Sequence, residues 1–469
     1  VSDVAQKKEK RSEVRRPDLN TLYSVNPDGS RNFLYPADVK GRWRTRTNIL
    51  WTLLVVIYVI LPWIQINGHP AVHFDIPGRR AFLFGLTFTN QDFYLVFFAL
   101  TALGFSLFAV TALFGRVWCG FACPQTVFLE GIYRRIERAI EGQRGKRIRR
   151  NMGPMTFDKA WRKIAKHAAY IPLSYLIAHV FLSYFIPVRE LLDVVRSSPT
   201  AHMSAFLWSM FWTGVLYFNY SWFREQTCLI ICPYGRIQSA MVDEDTIVLG
   251  YDARRGEPRS RTSEEGGDCI DCYRCVAVCP TGIDIRNGLQ MECVSCTRCI
   301  DACDDVMRRT GGQEGLIRFD SRRAFEGRGR RSLLRPRVFL YAGMALVGLL
   351  VAAFSISGRE PFQANMLRAR GVPYTIEGER IQNLYHIHLE NKGAETIHLK
   401  LSAGNDRDGL VEYVISQPDV RLEGMQDAEV PIYASMDRKN YAGPFPLSLA
   451  VTDSVSGHTQ ELEMRFRGP

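Results

Sequence analysis

The stretch C-I-D-C-Y-R-C-V-A-V-C-P at residues 269–280 decides the architecture of this chain, because it returns as C-V-S-C-T-R-C-I-D-A-C-D at residues 293–304. Cys269, Cys272, Cys275 and Cys279 follow a C-x2-C-x2-C-x3-C spacing ahead of Pro280. Cys293, Cys296, Cys299 and Cys303 repeat it ahead of Asp304. This is the spacing of bacterial ferredoxins with two [4Fe–4S] clusters. Three thiolates from a tight loop grip one corner of a cube, and the fourth comes from the other run. That rule assigns Cys269, Cys272, Cys275 and Cys303 to one cluster, and Cys293, Cys296, Cys299 and Cys279 to the other. Zinc is the competing metal, since C-x-x-C pairs also bind it. A tetrahedral zinc site uses two separated pairs and leaves the third and fourth Cys of each run unexplained. Two neighbouring clusters make a one-electron relay, which needs a donor and an acceptor.

Outward from this segment, apolar residues gather in blocks. Five stretches approach the ~20 residues that cross a bilayer: Asn48–Ile66, Phe93–Phe114, His167–Pro187, Met203–Phe223 and Arg337–Ile356. Trp51, Trp63, Tyr170, Trp208, Trp222 and Tyr341 are placed toward their ends, as interfacial aromatics are. The net charge of +11 is then topological. Arg134, Arg135, Arg138, Arg144, Lys146, Arg147, Arg149 and Arg150 lie between spans two and three, and the segment between spans four and five is rich in Arg. The alternate loops carry only Arg79 and Arg80, and Arg189 and Arg196. By the positive-inside rule the N-terminus is cytoplasmic and the C-terminal region exported. Nucleic acid is not needed to explain the charge. The polar start, with Lys7, Lys8, Lys10, Arg11, Arg15 and Arg16, reads as a disordered cytoplasmic tail, not as a signal peptide. All twelve Cys fall in segments expected to face or border the cytoplasm, which excludes a secreted disulfide scaffold.

Two further pairs stand at the cytoplasmic ends of spans two and four: Cys119 and Cys123 before Pro124, and Cys228 and Cys232 before Pro233. Each is C-x3-C-P. On a continuing helix, residues four apart share a face, so four thiols would converge if the spans are neighbours. Buried structural thiols, a third iron–sulfur cluster and a soft-metal site all fit. Thiolate preference for Cu(I) favours copper. Each pair is also near the range in which a disulfide closes.

These residues closely resemble the cytochrome c oxidase accessory proteins of the CcoG/FixG/RdxA family, membrane polyferredoxins. The resemblance spans the basic tail, five spans, both C-x3-C-P motifs, the two-cluster segment and a Cys-free tail. It implies assembly of a cbb3-type oxidase, with Cu(II) reduced to Cu(I) on the cytoplasmic side, and an immunoglobulin-like C-terminal domain. Cys119, Cys123, Cys228 and Cys232 are then the catalytic, copper-binding thiols. Expected partners are membrane lipid, oxidase subunits or copper chaperones, an unidentified cytoplasmic donor and, as an option, a second copy of the chain. Two other functions stay open: a quinol-linked polyferredoxin, and a non-enzymatic scaffold whose clusters sense redox state.

The expected division is a cytoplasmic tail (1–47), a four-helix membrane region (48–236), a cytoplasmic ferredoxin-like α+β domain (237–336), a fifth span (337–356) and a periplasmic all-β domain (357–469). The protein is placed in a bacterial inner membrane. In the last segment the runs Leu384–Leu389, Thr396–Leu401, Glu429–Tyr433, Leu447–Val451 and Leu462–Phe466 alternate as strands of a sandwich do. His386 and His388 share a strand face and His398 lies nearby, but solvated faces explain them without a metal. His179, inside span three, has no partner His at its depth for a haem and reads as packed and hydrogen-bonded. His69 and His73, near Asp75, read as an ordinary loop.

Overall fold

A computed structural model describes residues 31–469 except 90, 91, 261–265, 330, 331, 333, 334, 359, 370, 394, 405–408 and 425. The basic residues of the expected tail, Lys7 to Arg16, lie outside the described residues. Contacts divide the chain into two units. One comprises residues 1–61, 98–183 and 188–350, and the other residues 62–97, 184–187 and 351–469.

Among the described residues, three helices are long and apolar enough to cross a membrane: Arg42–Trp63, Tyr94–Phe114 and Pro336–Ser357. The expected third and fourth spans do not reach that standard. The helix Phe157–Leu182 has Asp158, Lys159, Arg162, Lys163 and Lys166 in its first half, so only its second half is apolar. Met203–Phe218 has 16 residues and then loosens into a π-helical turn, Asn219–Phe223. These two pack against each other through His179, whose Nδ1 meets the Tyr175 carbonyl at 2.9 Å and whose Nε2 meets Ser209 Oγ at 3.2 Å. That is the packed histidine expected. Two of the six expected interfacial aromatics are interior instead. Trp51 is buried with the Arg44 guanidinium 4.9 Å from its ring, and buried Tyr170 donates to the Tyr133 carbonyl at 3.0 Å.

The cysteine-rich segment lies between two paired strands, Ile247–Tyr251 and Ile317–Ser321, antiparallel with Ile247 opposite Ser321. A helical turn, Arg274–Ala277, and a helix, Arg298–Thr310, each begin two residues after the second Cys of a run. The longer helix is fastened to the first membrane helix. Asp301 accepts the backbone N–H of Trp43 at 3.2 Å and of Arg44 at 2.7 Å, capping two donors that a helix start leaves without partners. A Cβ on Gly41 would stand 2.2 Å from the Asp301 carboxyl carbon, so the approach requires glycine there.

The second unit is a β-sandwich. One sheet runs Glu412–Ile415, Asp427–Asp437, Arg380–Asn391, Phe362–Arg368, with Thr375–Glu377 beside Arg380–Asn391. The other runs Asp419–Leu422, Ile397–Ala403, Phe445–Asp453, Thr459–Phe466. Ile381, Tyr385, Ile387 and Leu389 from one sheet meet Leu399, Leu447, Leu449 and Val451 from the other in one core. The alternation follows from side chains pointing to opposite faces at successive residues. The segment read as a loop around His69 and His73 forms a three-stranded sheet, Val72–Asp75, Arg80–Leu83 and Leu86–Phe88. His69 stacks on Phe82 at 4.1 Å.

Candidate functional site

The two cysteine runs fold as copies of one loop. Asp271 and Ser295, just before the second Cys, have φ of 52° and 53°, and Tyr273 and Thr297, just after it, have φ of 57° and 63°. Non-glycine residues seldom adopt this left-handed conformation. Used in alternation, it turns successive backbone N–H groups inward to form an anion-binding nest. Sulfide and thiolate are the anions such a nest suits.

Each loop lines its own cavity. Cys269, Cys272, Cys275 and Cys303 line one, with Tyr251, Met307 and Leu316. Cys279, Cys293, Cys296 and Cys299 line the other, with Cys275 shared and Ile283 and Ile285 behind. The structure thus brings together the Cys of each quartet read from the spacing, with Cys275 on both cavities. Their thiols are pushed up by burial, to about 12 for Cys275, Cys293 and Cys303 and well up for Cys299. Such sulfurs ionise only against positive charge, which ferric and ferrous iron supply. Among the described residues, no three His, Cys, Asp or Glu side chains converge closely enough to hold one metal ion. A zinc site would draw its sulfurs to about 2.3 Å from one point, whereas a cube keeps its ligands apart. The residues fit [4Fe–4S] clusters.

The C-x3-C-P pairs are drawn together, but not on continuing helices. Pro124 and Pro233 each start a new helix at its first position, where a missing N–H is harmless. Cys123 and Cys232 therefore cap those helices in extended conformation. Cys119 sits in the short helix Val117–Phe121 and Cys228 in a π-helical turn, Thr227–Ile231. Cross-links hold the motifs in place: Thr111 Oγ1 to Tyr234 Oη at 2.6 Å, Gln125 Nε2 to the Arg224 carbonyl at 2.8 Å, Arg116 to the Gly235 carbonyl, and Cys119 Sγ to Gln238 Oε1 at 3.6 Å. Burial pushes Cys119 up to about 12, with the neighbouring Cys123 and Cys232 adding to it. Cys228 rises further for the same reasons. The four thiols thus share one neighbourhood, without forming a ready three-ligand ion site.

This neighbourhood abuts the second cysteine run. A Cβ on Gly120 would stand 2.6 Å from the Ser295 carbonyl oxygen and 2.7 Å from that of Val294. Only glycine permits such backbone contact. Gly120→Ala is expected to push the loops apart, costing about 1–3 kcal/mol. Iron should then leave the Cys293 loop faster than the Cys269 loop, as two phases of release to a chelator.

Sequence reasoning did not find the buried ion network beneath both sites. Glu130 binds Arg134 and Arg298. Arg134 also donates to Glu225 at 2.8 Å, and Arg31 meets Glu225 at 2.9 Å. Glu137 meets Arg224 at 2.7 Å and Arg147 at 3.1 Å, and Glu141 meets Lys166 at 2.9 Å. Burial favours neutral Glu130, but Arg134, Arg298 and Arg44 hold its carboxyl far below the usual range. The available signal was Glu130, Arg134 and Glu137 at helical spacing just after one C-x3-C-P motif, with Arg224 and Glu225 just before the other. The histidines His386, His388 and His398 belong to no ion-sized cluster, and His386 pairs with Glu429 at 3.0 Å.

Family comparisons agree with this layout. A model described as a 4Fe-4S dicluster domain matches residues 223–322, one described as a 4Fe-4S binding domain matches residues 95–144, and one described as the IG-like fold at the C-terminal of FixG matches residues 352–469. Protein RdxA of Cereibacter sphaeroides is 37% identical over 458 residues, covering 93% of each chain. Nitrogen fixation protein FixG of Rhizobium meliloti is 33% identical, covering 81% of each, and Protein RdxB of Cereibacter sphaeroides 36%, covering 84% of this chain and 85% of its own. A solved FixG-related protein from Vibrio parahaemolyticus matches 23% of this chain and 96% of its own, at 21% identity and a TM-score of 0.21. With relatives this similar along nearly their whole length, and iron–sulfur domains between apolar helices, the chain belongs to the FixG/RdxA family of membrane iron–sulfur redox proteins.

Proposed function

We propose that this protein carries electrons from a soluble cytoplasmic donor, through two [4Fe–4S] clusters, to Cu(II) held at Cys119, Cys123, Cys228 and Cys232. One electron from a reduced cluster converts Cu(II) to Cu(I), which is released to a copper chaperone or to a cbb3-type oxidase under assembly. Copper is here a substrate. Cu(I) is satisfied by two soft ligands, so one pair of thiols suffices where no three-ligand site is preformed. The carrying observation is the contact of Gly120 with the Val294 and Ser295 carbonyls, which sets the first C-x3-C-P loop on the second cysteine run. In this reading the clusters face the cytoplasm at an inner membrane and the sandwich lies in the periplasm as a docking module.

Purified protein supplied with a low-potential donor is expected to reduce Cu(II), followed as a coloured Cu(I)–chelator complex. Replacing all four thiols by Ser should lower that rate at least tenfold while leaving cluster absorbance in place. An unchanged rate would remove these thiols from the mechanism. One observation favours a second reading: the 4Fe-4S binding domain match at residues 95–144 contains Cys119 and Cys123 and none of the eight ferredoxin-type Cys. A third cluster on the four thiols would raise iron from about eight to about twelve atoms per chain.

A further inference from the structure

Beside the second cysteine run lies a further cavity of about 210 Å³, against about 20 Å³ in each thiol cage. Val248, Leu249, Leu289 and Met291 make its walls apolar, while Arg116, Gln290 and Ser295 bring polar groups. Cys293 lines both this cavity and the cage next to it, so a single residue separates the two spaces. An apolar cavity with a few convergent polar groups has the make-up of a small-molecule site. Gln290 is buried, and its Nε2 donates to the Asp284 carbonyl at 2.5 Å, which fixes the orientation of the amide. Its Oε1 is then a buried acceptor with no partner among the described residues. Such an acceptor is costly. Arg116 gives Nη2 to the Gly235 carbonyl, and a guanidinium has further N–H donors.

The cavity stands where two apolar helices end. Arg116 comes two residues after Tyr94–Phe114. Val248 and Leu249 belong to the strand Ile247–Tyr251, and Thr246, just ahead of that strand, donates to the Ala112 carbonyl at 2.9 Å. Arg335, just ahead of Pro336–Ser357, donates to the same carbonyl at 2.9 Å. Val242, also in the lining, closes the helix that starts at Pro233, behind the second C-x3-C-P pair. Leu289 and Met291 are 54% and 58% exposed. They form an apolar lip at the level of the helix ends, where a molecule dissolved in lipid would arrive.

We propose that this cavity binds the ring of a lipid-soluble quinone and that the protein reduces it there to the quinol. The walls suit a flat apolar ring, and Arg116 donates to a carbonyl oxygen of it. Reduction turns that class of carbonyl into a hydroxyl, which is the donor that Gln290 Oε1 lacks. The quinone takes two electrons, one at a time, from the cluster caged by Cys279, Cys293, Cys296 and Cys299. A low-potential soluble donor is oxidised to resupply them. Two protons come from water at the lip, so that both C=O groups end as C–O–H. This activity stands beside copper reduction. It rests on the two-cluster reading and not on copper.

The test uses full-length protein in detergent, with iron and labile sulfide counted first. An azido-benzoquinone is photolysed with the protein and the label is located by peptide mass spectrometry. The label is expected within residues 242–249 or 289–295, and excess decyl-benzoquinone should remove it. Dithionite-reduced protein mixed with decyl-benzoquinone should recover the absorbance of oxidised clusters at a rate that saturates. Leu289→Trp and Met291→Trp place an indole in the lip at exposed positions, where the fold tolerates it. Each should lower both the labelling and that rate at least tenfold, at unchanged iron content. Leu346→Trp, at an exposed position of Pro336–Ser357 away from the cavity lining, should leave both within twofold. A label scattered over the apolar helices, or a rate that neither lip variant lowers, overturns the proposal. An iron count without clusters overturns the relay and this reduction together, whereas intact clusters with no label at the cavity overturn this inference alone.

Discussion

Cys299→Ala is expected to cost the protein one cluster and most of the order of the segment between Ile247 and Ser321. Cys299 is buried in the core that this segment builds from Leu249, Tyr251, Ile283, Ile285, Ile300, Met307, Leu316 and Ile317. Four of the residues in that core are thiols of the two quartets read from the spacing, Cys269, Cys275, Cys293 and Cys299. Metal binding is therefore folding free energy here, as in other small metal-built domains. The two strands alone cannot hold the loops, since a two-stranded sheet is at best marginally stable in water. Iron per chain should fall from about eight to about four or fewer, and limited proteolysis should open sites between residues 252 and 316. Because Cys279 crosses from one run to the other cage, the damage should not stay in one loop. Full iron content with an intact protease pattern would show that Cys299 is a packed thiol and no ligand.

The second large effect lies in the ion network. Glu137→Ala should destabilise the membrane unit by about 3–5 kcal/mol, the cost of leaving buried cations without their carboxylate. Arg224 and Arg147 are both buried against Glu137, with Lys166 at 3.7 Å. Arg224 also has a left-handed φ of 51°, a strained conformation that this ion pair helps fix. Thermal unfolding in detergent should show the loss, and Glu137→Gln should recover part of it by keeping the shape. The pH dependence has a definite sign. Burial pushes the Glu137 carboxyl up, but Arg224, Lys166 and Arg147 outweigh burial and hold it at about 2, against 4.5 for an ordinary glutamate. A depressed folded-state value means stability that is present above 4.5 and lost as the pH falls toward 2. In Glu137→Ala that slope should flatten.

Much of the site was legible because its spacing is local. The quartets follow from two runs of Cys within 35 residues, positions 269–303, and the cavities contain the sets expected. Strands announced by alternation were found in place: Leu384–Leu389 lies within Arg380–Asn391, and Leu447–Val451 within Phe445–Asp453. The strand Phe362–Arg368 was missed because its first three residues are all buried, so no alternation marks it. The convergence of the thiols was read from helix periodicity, yet Pro124 and Pro233 break the helices and the thiols meet across helix starts instead. Of the ion network only the helical spacing of Glu130, Arg134 and Glu137 and the Arg224–Glu225 step were legible, not the long-range pairings. Glu130 and Arg298 are 168 residues apart, and Arg31 and Glu225 are 194 apart. Nothing local distinguishes such partners from ordinary surface charges. The expected third and fourth spans, His167–Pro187 and Met203–Phe223, lie on helices that the charged first half of Phe157–Leu182 and the π-helical turn Asn219–Phe223 leave short of a full apolar crossing.

Eight sulfurs caging two iron cubes are what the electron relay requires, and the most direct test is the iron and acid-labile sulfide content of anaerobically purified protein, read together with its EPR spectrum after reduction. About eight of each per chain, with a signal from two interacting reduced centres, is the predicted result. Zinc in place of iron, with no labile sulfide, would contradict it.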